Sequence, residues 1–351
     1  GDALRGIALL LGANLKKKSY TGKSVAIKIN FGERGNYTYM RPAFVRRVAD
    51  FVKAEGGRPF VAETTTLYPS GKRLTVEECL ETANYNGFTE EGLGCPLVIA
   101  DAPDGQNGVE HAVKGAAKDC RVKSATVAKR LLEADAMIVL SHVKGHALSG
   151  MGGALKNLSM GCTTKKTKRE QHASHGLVFD YEKCTGCGKC IEACRFEALA
   201  LEEKRPVKDD ERCMYCNTCL YTCKSKVIRI LPNGKELFQR AMAHAAAGVM
   251  QSFSAKGIIF INAIMDVTPL CDCAAPAGRL VTQNVGILAS ADPVAIDMAS
   301  LGLVDSAPMI PGWEVSPPDV LGKINRTDST IQMKEAARLG AGSLEYELVK
   351  V

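Results

Sequence analysis

The sequence predicts an α/β fold: a mostly parallel sheet domain, discontinuous along the chain, with an inserted α+β ferredoxin-like domain built for two clusters. Three observations predict it. Short apolar runs alternate with helical patterns on both sides of residues 177–234, as in a sheet wound by helices. Eight of the fourteen cysteines fall inside that stretch, in two copies of one spacing. The apolar runs that follow it are continuous, the pattern of parallel strands buried on both faces.

The elements follow in order. Residues 25–31 read as a strand leading into a Gly-rich turn, and residues 43–55 as a helix stopped at Gly56 and Gly57. Residues 59–63, 97–100 and 136–140 are the next strands. After the insertion, residues 236–253 form a long Ala-rich helix, and residues 257–264 and 285–288 are buried strands. Asp292 caps a helix that has Pro293 at its first position. A last helix spans about residues 327–339 and ends at Gly340. Residues 344–349 read as an edge strand. The α/β domain thus comprises residues 1–176 plus 235–351, and the ferredoxin-like domain residues 177–234, with its two junctions close together at the surface.

A chain of 351 residues has material for two or three domains and an ample core. Its 46% hydrophobic and 24% charged residues are ordinary for a globular protein. The net charge of +7 favours anionic ligands or acidic partners and does not by itself imply nucleic acid. No apolar run is long enough to cross a membrane. Residues 6–11 are too few, and the basic run Lys16–Lys18 follows them where a secretory signal would have it precede. The chain opens on Gly rather than Met, as an appended or trimmed start would. Clustered free thiols point to a reducing compartment, the cytoplasm.

Cys184, Cys187, Cys190 and Cys194 read C-x2-C-x2-C-x3-C, and so do Cys213, Cys216, Cys219 and Cys223. Thiolates at this spacing wrap a cubane cluster, and in two-cluster ferredoxins the fourth cysteine of each run crosses to the other cluster. One 4Fe–4S cluster is therefore expected on Cys184, Cys187, Cys190 and Cys223. The second is expected on Cys213, Cys216, Cys219 and Cys194. Structural zinc uses four ligands in two pairs and has no need of this tandem. Arg195 and Lys224 stand where the bacterial pattern places Pro. Their positive charge should raise the cluster potentials.

Of the remaining cysteines, Cys79 and Cys95 read as core residues and Cys120 has no assigned role. Cys271 and Cys273 flank Asp272 in a loop at a strand's carboxyl end, where open α/β sheets bind ligands. Cys162 lies in another Gly-rich loop. The three thiols could hold a third iron–sulfur cluster with one open iron, or be free thiols, or form a redox pair at Cys271 and Cys273. Residues 141–162 are the densest polar stretch. His142 and His146 would share one face if helical, while Gly145 makes a loop equally plausible. A proton-transfer role suits either ring. Lys144 and Lys156 could clamp an anionic group, with Gly150, Gly152 and Gly153 admitting backbone N–H groups.

Three smaller signals complete the reading. Arg34 lies in a loop that could bind an anion but does not complete a P-loop. The threonines after Glu63 follow a strand and read as helix caps or as hydroxyls for a ligand, and the basic segment 165–172 as a solvated loop or substrate lid, with His172 and His175 at its end. No G-x-G-x-x-G follows a strand, which argues against a nicotinamide enzyme.

The segments Lys28-Ile-Asn-Phe-Gly, Ser141-His-Val-Lys-Gly-His, Ala154-Leu-Lys-Asn-Leu with Gly161 and Cys162, Thr268-Pro-Leu-Cys-Asp-Cys and Asp292-Pro-Val-Ala-Ile-Asp carry a resemblance. With the cysteine-rich insertion, they resemble the iron–sulfur-centre proteins of the domain of unknown function 362 family. The resemblance spans nearly the whole chain and implies a fold with a ferredoxin insertion, but no reaction. Two functions are expected from the residues. One is an iron–sulfur oxidoreductase whose clusters, reduced by a redox partner protein, feed a site for a small anionic substrate. The other is an electron-transfer or metal-handling partner with no substrate of its own. No nucleic-acid or membrane partner is expected.

Overall fold

The computed structural model of the protein describes residues 20–351, so the apolar run 6–11 and Lys16–Lys18 lie outside the described residues. In chain order the strands are β1 (Ser24–Lys28), β2 (Arg58–Glu63), β3 (Leu97–Ile99), β4 (Gly108–Ala112), β5 (Ser124–Ala128), β6 (Ala136–His142), β7 (Lys144–His146), β8 (Gly150–Gly152), β9 (Val178–Phe179), β10 (Leu199–Glu202), β11 (Arg205–Lys208), β12 (Ile228–Arg229), β13 (Ile258–Ile264) and β14 (Gly286–Ser290). The principal helices are α1 (Pro42–Ala54), α2 (Val76–Tyr85), α3 (Ala154–Ser159), α4 (Lys165–Ala173), α5 (Gly234–Ser252), α6 (Pro293–Ser306), α7 (Val320–Asn325) and α8 (Ile331–Arg338).

The fold is α/β, with a central sheet of order β14-β13-β6-β1-β2-β3. All its neighbours are parallel except β13 and β14. From β1 the chain winds one way through β2 to β3, then returns to the other side of β1 at β6 and moves on to β13. The order therefore reverses between β1 and β6. Side chains alternate across the sheet and build a separate core on each face. Val25, Ile27, Val61, Ile138 and Ile261 meet α1 and α2, through Val45, Val48 and Ala83. Ala26, Phe60, Val139 and Phe260 meet α3, α5 and α6, through Leu155, Ala246 and Val294.

Local signals explain the helix ends. Thr75 and Glu78 form a capping box at α2. Asp292 accepts from Val294 N–H at 2.8 Å and Ala295 N–H at 2.9 Å, with Pro293 in the first turn.

Four expectations change. β14 is an antiparallel, half-buried edge rather than a buried parallel strand. No helix lies between β13 and β14 to carry the chain back for a parallel return. Residues 344–349 are exposed and form no strand. Ser343 N–H is bonded to Asp292 Oδ2 at 2.8 Å, which leads the chain off along the helix layer instead of a sheet edge. The last helix is shorter, beginning at Ile331 after the separate α7. The basic segment 165–172 is the helix α4 with a buried face, because the Lys168 ammonium bonds inside, to Thr64 Oγ1 at 2.8 Å and Thr163 O at 2.6 Å.

Residues 177–234 hold two short antiparallel pairs, β10 with β11 and β9 with β12. The second pair lies at the root of the segment, where Leu231 N–H donates to His175 O at 3.1 Å, so the chain enters and leaves at adjacent points. No helix among the described residues is long and apolar enough to cross a membrane.

Candidate functional site

The carboxyl ends of β1, β2 and β6 open onto a cleft at the point where the strand order reverses. This is where sheets of this winding bind ligands, because the loops of adjacent strands diverge there. The cleft encloses a cavity of about 110 Å³. Asn30 follows β1, Thr64 to Tyr68 follow β2, Ser141 and His142 end β6, Lys144 opens β7, and Cys271 to Cys273 come from the loop after β13. Lys156 of α3, His172 of α4 and Phe238 of α5 form the walls.

The floor is a buried ionic network. Lys28 Nζ pairs with Glu63 Oε1 at 2.7 Å and donates to Asn157 Oδ1 at 2.8 Å and to Ile29 O. Both side chains are almost wholly buried, so each is the other's main compensation for lost water. Beside them, Lys168 lies 3.8 Å from Asp101, whose carboxylate accepts from Thr65 N–H and Oγ1–H at 3.0 and 2.8 Å. Burial holds the Lys168 ammonium below its ordinary pKa, offset in part by Asp101 and Glu63. Gly161 allows this approach, since a Cβ there would fall on Lys28 Nζ.

All four polar candidates of the 141–156 stretch line the cleft, with unequal freedom. His142 and His146 lie in extended backbone at β6 and β7, not on a helical face. The antiparallel pairing of β7 with β8 keeps this stretch extended. His142 has both ring nitrogens engaged, Nδ1 with Asp272 Oδ2 at 2.8 Å and Nε2 with Met265 O at 2.6 Å. It locks the β13 loop rather than facing the cavity with a free nitrogen. Lys144 is likewise tied down, to Thr38 O at 2.9 Å and to Asp266 O. Burial lowers its pKa against the pull of Asp272 and Asp266. His146 accepts at Nδ1 from the Ser149 and Leu148 N–H groups, so its proton sits on Nε2. Burial and then the Lys156 charge hold its pKa well below the ordinary value, and the ring is neutral. Burial works against the Lys156 ammonium, but the charges of Cys271 and Cys273 outweigh it and push the pKa up to about 12.

Cys271 and Cys273 both line the cleft. Asn30 Nδ2 donates to Cys273 Sγ at 3.1 Å. The neighbouring Cys271 thiol, then the charges of Arg73 and Lys156, overcome burial and hold Cys273 well below the ordinary thiol range. The neighbouring Cys273 and burial push Cys271 well above it. Cys162 stands apart from the pair. It is fully buried within the apolar core, its thiol directed to Asn157 O at 3.6 Å, and burial pushes its pKa up to about 12. The three thiols therefore do not line one cavity. Among the described residues, no group of three or more His, Cys, Asp or Glu is gathered tightly enough for a single metal ion.

The two cysteine runs interleave. Cys194, Cys213, Cys216 and Cys219 line one cavity of about 20 Å³. Burial, then the charges of Cys216, Cys213 and Cys194, push the Cys219 thiol up to about 12. The Cys190 thiol is raised by burial and then by Cys223 and Cys184. Cys187 is exposed.

A second gap of about 350 Å³ lies between the cleft and the second run, lined by Tyr68, His146, His172, Cys216 and Tyr221 among others. Tyr68 bridges it. Its pKa is raised well above the ordinary value by burial, then by Cys273 and Cys271 on one side and by Tyr221 and Cys216 on the other. Its hydroxyl meets His172 Nε2 at 3.0 Å. His172 packs edge-on against His175, which reaches Asn217 at 3.1 Å and the Tyr215 ring at 6.2 Å.

Sequence reasoning missed Lys28, Glu63, Arg73, Tyr68 and Lys168 as parts of this site. Position was the usable signal for three of them, since Lys28 and Glu63 end strands and Tyr68 lies in the loop after one. The threonines after Glu63 cap no helix and line the cleft instead. Arg34 is directed elsewhere, stacking 5.0 Å over Tyr85 and pairing with Glu81 at 3.7 Å.

A family profile described as "Domain of unknown function (DUF362)" matches residues 25–302. Comparison with curated proteins gives no match. Among solved structures, the chain overlaps a protein from Thermotoga maritima with a TM-score of 0.38 and 10% identity, over 74% of this chain and 49% of that one. It overlaps lactate racemase apoprotein from Thermoanaerobacterium thermosaccharolyticum with a TM-score of 0.35 and 11% identity, over 82% of this chain and 52% of that one. The chain spans about half the length of each.

Proposed function

The chain belongs to the domain of unknown function 362 family, and we propose that it is an iron–sulfur oxidoreductase acting on a small anionic substrate in the cleft. In this reading residues 177–234 are a two-cluster ferredoxin-like insertion in an α/β domain of residues 1–176 and 235–351. The observation that carries it is the position of Tyr68, which shares one cavity with Cys271 and Cys273 and the neighbouring gap with Cys216. Tyr68 thus lines both the cavity and the gap that reaches the second cysteine run.

The donor sets fit two clusters. Cys213, Cys216, Cys219 and Cys194 would hold one, in keeping with the cavity they share. Cys184, Cys187, Cys190 and Cys223 would hold the other, in keeping with the mutual influence of Cys190, Cys223 and Cys184. Such clusters supply electrons one at a time. The exposure of Cys187 supports the first run as the face for a redox partner protein. The reducing compartment such thiols need is the cytoplasm.

The cleft residues do the rest. Lys156 offers a charged donor to an anionic group, and His146 a neutral Nε2–H beside it. Tyr68 and His172 share a hydrogen bond along which a proton can move. A carrier with no substrate would not need a buried ammonium facing a cavity. The first test is the iron and acid-labile sulfide content of anaerobically purified protein, with electron paramagnetic resonance. Roughly eight irons per chain are expected for two four-iron clusters, and Cys216→Ser should lose one of the two signals. Protein that purifies without iron, or keeps its full iron content when Cys187 and Cys216 are both replaced by Ser, would sink the proposal.

A further inference from the structure

Two features of the cleft are not explained by electron delivery alone. Cys271 and Cys273 stand two residues apart on one loop, both lining the cleft and both free. Cys273 also accepts from Asn30 Nδ2 at 3.1 Å and feels the charge of Arg73, a guanidinium anchored to Asn30 Oδ1 at 3.1 Å and Glu33 Oε2 at 3.3 Å. This arrangement favours a thiolate at Cys273 and keeps the proton on Cys271. Both sulfurs face the cavity that Lys156 and His146 share. Cysteines two residues apart in a tight turn lie close enough for side-chain rotation to join them, a disulfide setting its sulfurs about 2 Å apart. The loop that carries them is pinned by the Asp272 bond to His142, and Ala274 N–H closes a turn on Cys271 O at 2.9 Å.

We propose that Cys271 and Cys273 are a dithiol–disulfide centre whose substrate is a small disulfide bearing an anionic group. Cys273 Sγ attacks one sulfur of the substrate, forming a mixed disulfide and expelling the other half as a thiolate. Cys271 Sγ then attacks Cys273 Sγ. The Cys271–Cys273 bond forms, the mixed disulfide breaks, and the second half leaves. One of the two leaving thiolates takes the Cys271 proton. The substrate gains two electrons and the pair loses two. Two electrons and one proton restore the pair. Only that return rests on the reading of residues 177–234 as an electron donor, and it would explain why one-electron centres lie beside a two-electron site. Lys156 holds the anionic group, and Cys273 is the attacking residue because its charge is stabilised while that of Cys271 is not.

The test uses the full chain, purified anaerobically and reduced, with dithiodiglycolate as the probe. After brief exposure, acid quench and alkylation, peptide mass spectrometry should find a Cys271–Cys273 link and both mercaptoacetate halves released. Cys271→Ser should trap one mercaptoacetate on Cys273, and Cys273→Ser should leave Cys271 open to alkylation. The uncharged bis(2-hydroxyethyl) disulfide should react about tenfold more slowly, the worth of one charge-assisted contact, and Lys156→Ala should erase that difference. Both cysteines alkylated after exposure, or no adduct on Cys271→Ser, would overturn the proposal. Equal rates for the two probes would overturn its anionic-substrate part. Iron content reports separately on the clusters. A link formed in iron-free protein supports the dithiol and sinks the cluster reading, whereas full iron with no link does the reverse.

Discussion

His172 gives the sharpest quantitative expectation. Its ring is buried between Tyr68, His175 and Phe238, and its Nδ1 has no hydrogen-bond partner among the described residues. A charged imidazolium there would lack an acceptor. Burial first, then the neighbouring His175 and Lys156, lower its pKa from 6.5 to about 3. The sign follows from which state takes up the proton first. The unfolded chain does so near 6.5 and the folded one only near 3, so this contribution to stability is complete above pH 6.5 and is lost as pH falls toward 3. At pH 5 the loss is about 2 kcal/mol, and over the whole span it is on the order of 5 kcal/mol. Domains are stable by roughly 5–15 kcal/mol, so this is a large share. Urea unfolding of the wild type and His172→Gln at about pH 7.5 and about pH 5 measures it. The wild type should lose about 2 kcal/mol more than the variant, and taking the difference cancels the titrating groups that lie away from His172. Equal losses in the two proteins would show that His172 is solvated or already charged in the folded state.

Other outcomes follow from the same geometry. Lys28→Met leaves Glu63 buried without its partner and should cost about 3–5 kcal/mol, most of it restored by adding Glu63→Gln; thermal unfolding decides. Asp292→Ala removes the cap of α6 and should cost about 1 kcal/mol in urea unfolding, with no change in iron content. Lys156→Met should weaken binding of a small dicarboxylate by about tenfold in calorimetry, while Lys144→Met, whose ammonium is bound to Thr38 O and Asp266 O, should act on stability instead.

The strands of the sheet were legible because their apolar runs are short and alternate with helical patterns. β14 misled because an antiparallel edge and a buried parallel strand can carry the same short apolar run. The site was legible where it is dense, in residues 141–162 and at Cys271 and Cys273. It was illegible where it depends on pairing across the sheet. Nothing near Lys28 in sequence announces Glu63, because the parallel register of β1 and β2 brings them together. The separation of Cys162 from Cys271 was hidden for a related reason. Loop position along the chain says which end of the sheet a residue occupies, but not whether its side chain turns toward the cleft or toward the core.

The adjacency of the two ends of residues 177–234 also bears on how the chain assembles. β6 and β13 pair along their length, yet residues 143–257 lie between them. Closing a connection that long costs entropy before any sheet contact is gained. A segment that has already folded back on its own root, with β9 on β12 and Leu231 bonded to His175, takes residues 177–234 out of the open loop. Each halving of the loop saves about 0.6 kcal/mol. On a growing chain, early folding of the cysteine-rich stretch would therefore speed completion of the sheet, and a protein starved of whatever that stretch binds should show slower refolding as well as lost activity.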